Sequence, residues 1–302
     1  MMPWSEGHLT TDDGVRLYFR TIGNGSNSVV FPNGIYLAED FARLAAGRRL
    51  IFYDVRNRGE SDAISDDAKL KRGIHNDVDD LEAVRKHFGI GKLDVVGHSY
   101  IGVMVALYAM KYPECTNRVV QIGPAEPEQA KEYPEHLRCH DAKRAEVLSR
   151  VGQLIQQRLS GDPVEICKKF WAVLRELYVV DPANARKTDW GRCDLANELN
   201  FMKYWTEHIV PSLQGLNLSA ADFARAQAPI LTIHGRKDRS APYGGGREWA
   251  LRLPNARLVS VDEAGHAPWI ENPAKVFGAI EKFLEGAWPE AAEKVESFDM
   301  HA

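Results

Sequence analysis

The chain has 302 residues, 44% of them hydrophobic, and a formal net charge of −4. That length supports a sizeable core in one large domain or two small ones, and the mild negative charge argues against a nucleic-acid surface or an anionic membrane as partner. No apolar run approaches the roughly 20 residues that span a bilayer, and the opening Met-Met-Pro-Trp-Ser-Glu-Gly-His lacks the basic and apolar regions of a secretory leader.

In chain order, residues 15–21 alternate apolar and polar, as an antiparallel strand with one solvated face does. The runs 28–31, 50–53 and 93–96 are more uniformly apolar, which suits strands buried on both faces of a parallel sheet. Helical patterns lie between them. One covers 40–47 and closes on a glycine; another covers 76–88, with Val78, Leu81, Val84 and Phe88 at helical spacing and Gly89 at its end. A helix over 101–112 and a strand over 119–122 follow. After Gly123 the alternation stops. Residues 124–227 carry helical periodicity alone, over 147–159, 164–179 and 195–213, punctuated by Pro163, Pro182 and Pro211. Strands return at 230–233 and 257–261. The pattern predicts an α/β fold: a mostly parallel sheet flanked by helices, built from residues 1–123 and 228–288, with an inserted all-helical cap at 124–227. Residues 289–302 are acidic and polar, and a loosely held tail is expected there.

Chemistry concentrates where an apolar strand runs into Gly97-His98-Ser99 and a helix follows at once. A serine at such an elbow is lifted out of the backbone, with a helix N-terminus behind it, as a nucleophile attacking a carbonyl requires. The alternative is a plain strand–Gly–helix connection with Ser99 as an N-cap. Ile101 stands where a second glycine is usual, and Gly102 comes one residue late. A serine hydroxyl needs a base, and the base needs an orienting acid. Asp238 follows the strand at 230–233, and His266 follows the strand at 257–261. The order Ser, Asp, His is the one expected with a strand–helix elbow, and each residue sits at the carboxyl end of a parallel strand. Ser99, Asp238 and His266 are therefore the candidate catalytic triad. The oxyanion donors expected are the amides of Tyr100, next after the nucleophile, and Ile35, which follows Gly34 in the loop after the first parallel strand.

The four cysteines, Cys115, Cys139, Cys167 and Cys193, form no CxxC pair, which predicts reduced thiols in a cytoplasmic protein. Cys139 adjoins His140, but no further ligand has the spacing of a zinc site.

These segments together resemble the α/β-hydrolase superfamily with a helical cap. The resemblance rests on Phe31-Pro32-Asn33-Gly34, the loop from Tyr53 through Asp62, Gly97-His98-Ser99-Tyr100, Gly235-Arg236-Lys237-Asp238 and Gly265-His266. It departs from the family at Asn57-Arg58, which replaces a Gly-x pair, and at Asn33, which replaces a histidine. The resemblance implies attack by Ser99 on an acyl carbonyl, proton removal by His266, orientation by Asp238, and no metal or organic cofactor. Activity is then expected to fall as His266 takes up a proton. A carboxylesterase acting on small-molecule esters is the leading expectation. Similarity of 77–113 to proline iminopeptidases makes an aminopeptidase the alternative, with Glu126 and Glu198 or Glu207 available for a substrate ammonium. Carbon–carbon bond hydrolysis, lyase chemistry or a weakly catalytic small-molecule receptor would use the same fold. Trp171, Trp190, Tyr204 and Trp205 are candidate acyl-pocket residues, though aromatics at helical spacing are commonly core. Asn33, Gly34, His98 and Trp269, which flank the catalytic segments, are further candidate substrate contacts.

Overall fold

The computed structural model describes residues 3–128, 131–139, 142–157, 162–188 and 192–298; Trp190 and His140 lie outside the described residues. Among the described residues eight strands are present: β1 (Ser5–Thr10), β2 (Arg16–Ile22), β3 (Asn27–Pro32), β4 (Arg48–Tyr53), β5 (Leu93–His98), β6 (Thr116–Ile122), β7 (Ile230–Gly235) and β8 (Ala256–Val261). They form one sheet in the order β1-β2-β4-β3-β5-β6-β7-β8. The pairs β1–β2 and β2–β4 are antiparallel, and every pair from β4 to β8 is parallel. The uniformly apolar runs become the parallel strands, and β5 and β7 are buried at every residue. β1 was not expected, because Ser-Glu-Gly-His-Leu-Thr is an edge strand with a single buried residue and shows no clear period.

The helices are α1 (Gly34–Phe41), α2 (Ile74–His87), α3 (Tyr100–Lys111), α4 (Ala142–Gln157), α5 (Pro163–Leu174), α6 (Ala196–Tyr204), α7 (Val210–Gln214), α8 (Ala220–Arg225), α9 (Tyr243–Arg252), α10 (Pro268–Glu271) and α11 (Pro273–Leu284). Alternate residues of each strand feed two cores. Val30, Ile51, Val95 and Val119 pack with α2, α3, α8 and α9, whereas Val29, Phe31, Val96 and Val120 pack with α1 and α11. The chain goes from β3 outward to β4, then returns to lay β5 on the other side of β3. This reversal opens a crevice at the carboxyl ends of β3 and β5, where α/β sheets place their sites.

Between Ile122 and Ile230 the described residues contain helices and no strand. Both ends of this insert belong to the core layers. Tyr133 and Leu137 pack with Tyr243 and Ala250, and Phe223 of α8 packs 5.7 Å from Trp249. A wider turn of helix over Trp205–Ile209 joins α6 to α7. Pro211 follows it and has no N–H to return to the helix, which favours such a local widening.

Two expectations are corrected. Cys167 and Cys193 form a disulfide across 26 residues, while Cys115 and Cys139 stay outside any disulfide. Only the folded insert brings α5 beside the segment leading into α6, so sequence spacing carried no sign of the pair. The C-terminal segment is also not loose over its described part. Leu258 of β8 and Glu293 exchange two backbone hydrogen bonds of 2.8 and 2.9 Å, Ala292 and Val295 are buried, and Arg247 binds Glu293 and the Ser297 carbonyl. No helix among the described residues is long and apolar enough to cross a membrane.

The disulfide gives a direct count. Denatured, unreduced protein is expected to titrate two thiols with DTNB and four after reduction; four without reduction would contradict the pairing.

Candidate active site

Ser99 joins β5 to α3 with φ 61° and ψ −129°, one of three non-glycine residues with positive φ among the described residues. Such backbone is costly and persists where packing enforces it. Here the enforcement is close contact between strand and helix. A Cβ on Gly97 would lie 2.5 Å from the Ile101 carbonyl oxygen, and one on Gly102 would lie 2.9 Å from the Pro124 side chain. Ile101 is buried and fills the space that the bare Gly97 leaves, so the missing second glycine does not undo the elbow.

Asp238 and His266 come together at the ends of β7 and β8. His266 Nδ1 lies 2.7 Å from Asp238 Oδ2, and both side chains are fully buried. Asp238 Oδ1 accepts the amides of Ser240 and Ala241 at 2.7 and 2.8 Å, and Oδ2 also faces His234 Nε2 at 3.1 Å. Burial alone would push this carboxyl up. The positive character of His266 and hydrogen bonds from His234 and His266 outweigh it and hold Asp238 well below the usual carboxylate range. Gly123, at φ +48°, gives the dyad room: a Cβ there would lie 3.1 Å from His266 Nδ1 and 3.3 Å from Asp238 Oδ2. The loop bearing His266 is pinned from two sides, by the Ala267 amide on the Tyr178 carbonyl (2.8 Å) and by the Gly265 amide on Glu271 (2.7 Å).

His98 joins this loop to the elbow. Its Nε2 lies 2.9 Å from the His266 carbonyl oxygen, and the two imidazoles pack at 4.5 Å. Burial first, and the neighbouring His266 second, push His98 well below the ordinary histidine range. His266 Nε2 is buried without a hydrogen-bond partner, and the Ser99 hydroxyl makes no hydrogen bond among the described residues. Such contacts are commonly long before substrate binds.

Ser99 opens onto a cavity of about 300 Å³. Of the sequence candidates, Asn33, His98, Tyr100, Trp171 and Trp205 line it. Others have different places. Gly34 starts α1 against β4, where a Cβ would meet Phe52 at 2.8 Å. Tyr204 bonds the Gly73 carbonyl and Asp77, and the Trp269 indole bonds Asp40. Glu126 packs against α9 away from the cavity, Glu207 is exposed 3.8 Å from Lys203, and Glu198 is buried against Arg58. Tyr36, Arg58, Phe170, Leu174, Tyr178 and Met202 line the cavity without having been singled out. Among the described residues no cluster of His, Cys, Asp and Glu could hold a metal ion.

The expected oxyanion donor Ile35 is corrected. Its amide donates to Asp54 Oδ1 at 2.8 Å, because α1 begins at Gly34 and Asp54 sits at its N-terminus. The loop after β4 closes over that carboxylate. Glu60 N donates to Oδ2 at 3.1 Å, and Gly59, at φ +55°, would place a Cβ 2.0 Å from it. Asn33 precedes α1 with φ 67°; its Oδ1 is buried without a partner, and its Nδ2 makes no hydrogen bond among the described residues.

A family model for the alpha/beta hydrolase fold matches residues 22–273, and the chain belongs to that family. It is 27% identical over 255 residues to a 2-hydroxy-6-oxononadienedioate/2-hydroxy-6-oxononatrienedioate hydrolase of Burkholderia vietnamiensis, covering 82% of this chain and 80% of that protein. It is 26% identical over 278 residues to a pimeloyl-(acyl-carrier protein) methyl ester esterase of Chromobacterium violaceum, covering 90% and 99%. A solved 2-hydroxy-6-oxo-6-phenylhexa-2,4-dienoate hydrolase from Rhodococcus sp. strain RHA1 superposes with a TM-score of 0.73 over 95% of this chain and 100% of that one. At 19% identity, that last likeness is one of fold.

Asp54 gives this site a pH signature. Burial raises its carboxyl to about 7, against the pull of the Glu60 and Ile35 amides. A carboxyl raised on folding stabilises fully below about pH 4, and that contribution is lost as pH rises toward 7. Wild type is therefore expected to lose up to about 4 kcal/mol relative to Asp54→Asn between these values, read from urea unfolding at each pH. Parallel stability curves for the two proteins would refute it.

Proposed function

We propose that this chain is a serine hydrolase that cleaves carboxylic esters through an acyl-enzyme, with Ser99, His266 and Asp238 as its catalytic residues and the helical insert as a cap over the site. One observation carries the reading. A serine forced into positive φ lies on a cavity wall, and His98, next to it in the chain, packs at 4.5 Å on an imidazole whose Nδ1 is fixed 2.7 Å from a buried carboxylate. In this reading the unpartnered Nε2 of His266 removes the Ser99 proton as the hydroxyl attacks the acyl carbonyl. Asp238 holds the ring in the tautomer with the proton on Nδ1 and stabilises the imidazolium. The Tyr100 amide, at the first turn of α3, binds the oxyanion. With the Ile35 amide committed to Asp54, the Asn33 side-chain amide supplies the second donor. His266 then returns its proton to the leaving alcohol and activates the water that frees the acid.

Ester cleavage is favoured over removal of an N-terminal amino acid. A free α-ammonium needs a carboxylate near the scissile bond, and among the described residues none lines the cavity. Glu198 is already engaged by Arg58, and one of the relatives above is named a methyl ester esterase.

The test is hydrolysis of p-nitrophenyl butyrate and proline p-nitroanilide by wild type, Ser99→Ala and Asn33→Ala. Ester turnover with a silent anilide is expected. Ser99→Ala should lower kcat by roughly 10⁴-fold or more, and Asn33→Ala by about 10²–10³-fold. Undiminished turnover in Ser99→Ala would end the assignment, and an unchanged kcat in Asn33→Ala would remove Asn33 from the oxyanion hole.

A further inference from the structure

One wall of the cavity carries charge where an acyl pocket is otherwise apolar. Arg58 is 2% exposed, and what remains of its surface faces the cavity. Its guanidinium is sandwiched between the rings of Tyr36 and Phe201, 3.9 and 3.8 Å from their centroids. Nε and Nη2 donate to the two carboxylate oxygens of Glu198 at 3.2 and 3.3 Å. Nη1 has no hydrogen-bond partner among the described residues. A second unpartnered donor stands next to it. Trp171 packs edge-on against Tyr36 at 5.5 Å, with Arg58 5.9 Å from its ring, and its Nε1 is buried without a partner.

Both groups are donors only, since neither a guanidinium nor an indole N–H accepts. Left unmatched in a desolvated pocket, each is costly, so a well-fitting substrate brings an acceptor to them. Charge narrows the acceptor further. Glu198 already balances Arg58, and among the described residues the cavity wall has no other charged side chain, burial holding His98 well below the ordinary histidine range. A substrate carboxylate placed here would bury a net negative charge beside Glu198, whereas a neutral oxygen adds none.

We infer that the cavity selects acyl groups carrying a second, neutral oxygen acceptor, a keto or similar carbonyl remote from the scissile one, held by Arg58 Nη1 and Trp171 Nε1. The inference rests on the reading of Ser99 as the acyl-accepting serine. Phe170, Leu174 and Met202 cover the hydrocarbon part of such a chain. The ion pair fixes Arg58 in place, so its free nitrogen meets the substrate without reorganising, which is how a buried polar site rejects an analogue lacking the matching group.

The experiment compares kcat/KM for p-nitrophenyl 4-oxopentanoate against pentanoate, and 5-oxohexanoate against hexanoate. Each ratio is divided by that of uncatalysed hydrolysis, and the mono-p-nitrophenyl ester of succinate serves as the anionic comparison. Wild type, R58M/E198M and W171F are assayed with S99A as blank. Wild type is expected to prefer at least one keto ester by about tenfold or more. That preference should fall to near one in R58M/E198M, which removes both charges together, and by about threefold in W171F, which keeps the ring and loses the donor. If the double variant does not fold, W171F decides. Ratios near one for both pairs in wild type, a preference undiminished in W171F, or faster cleavage of the succinate ester than of either keto ester would overturn the inference while leaving the esterase reading intact. No ester cleaved above the S99A blank would overturn that reading, and the inference with it.

Discussion

Everything at the candidate site depends on one buried carboxylate remaining ionised. Asp238 is 1% exposed, where an isolated carboxyl would keep its proton. The positive character of His266 and the hydrogen bonds from His234 and His266 reverse that preference, and four donors in all hold the group. Two are amides of its own loop, so one oxygen is fixed by local chain geometry; the other oxygen is shared by imidazoles from β7 and from the loop after β8. The same oxygen that is kept charged therefore also aims His266. Gly123 makes this possible from the β6 side, since any side chain there would crowd the contact. Three adjacent strand ends thus converge on a single oxygen atom.

The loop after β4 does comparable work for the layers above and beside the sheet. Asp54 receives the first turn of α1 through the Ile35 amide. Arg56 grips Asp80 of α2 with two nitrogens and reaches the Lys69 carbonyl with a third. Arg58 reaches up to Glu198 of α6. Alternate residues of one short segment thus bind three different elements, each through a buried ionisable side chain. Such pairs contribute little net stability beside apolar replacements, but removing one partner strands the other, so they specify how the helical insert sits on the sheet more than how tightly.

The parallel strands, the elbow and the two late loops were legible because each has a local signature: a short apolar run, a glycine, a polar residue at a strand end. Ser99, Asp238 and His266 could be nominated this way, and they follow β5, β7 and β8 of the parallel part of the sheet, with Asp238 and His266 in contact. What failed to show were features made by contact between distant segments. The Ile35 amide looked free because nothing in Asn33-Gly34-Ile35 announces that Asp54 will lie against it. Glu198 looked like a solvated helix residue until Arg58, 140 positions away, was seen to hold it. Tyr204 and Trp269, offered as substrate contacts, are buried elsewhere, because a cavity-facing ring and a core-facing ring leave the same mark in a sequence. His234 carried a signal that could have been used, four residues before Asp238 at the end of an apolar strand, within reach of its carboxylate.

The docked C-terminal segment has a consequence for assembly. A sheet with a bare outer strand invites a second copy to add its own edge and continue the ladder. Residues around Glu293 occupy the middle of β8, bound through backbone and through Arg247, so that rim is already spoken for by the chain's own end. The opposite rim, β1, is six residues long and mostly exposed, with a glutamate and a histidine among them. Strand-to-strand polymerisation is thereby disfavoured at both margins. At Leu258 the ladder of the β8 edge thus finds its partner within the chain rather than in a second copy.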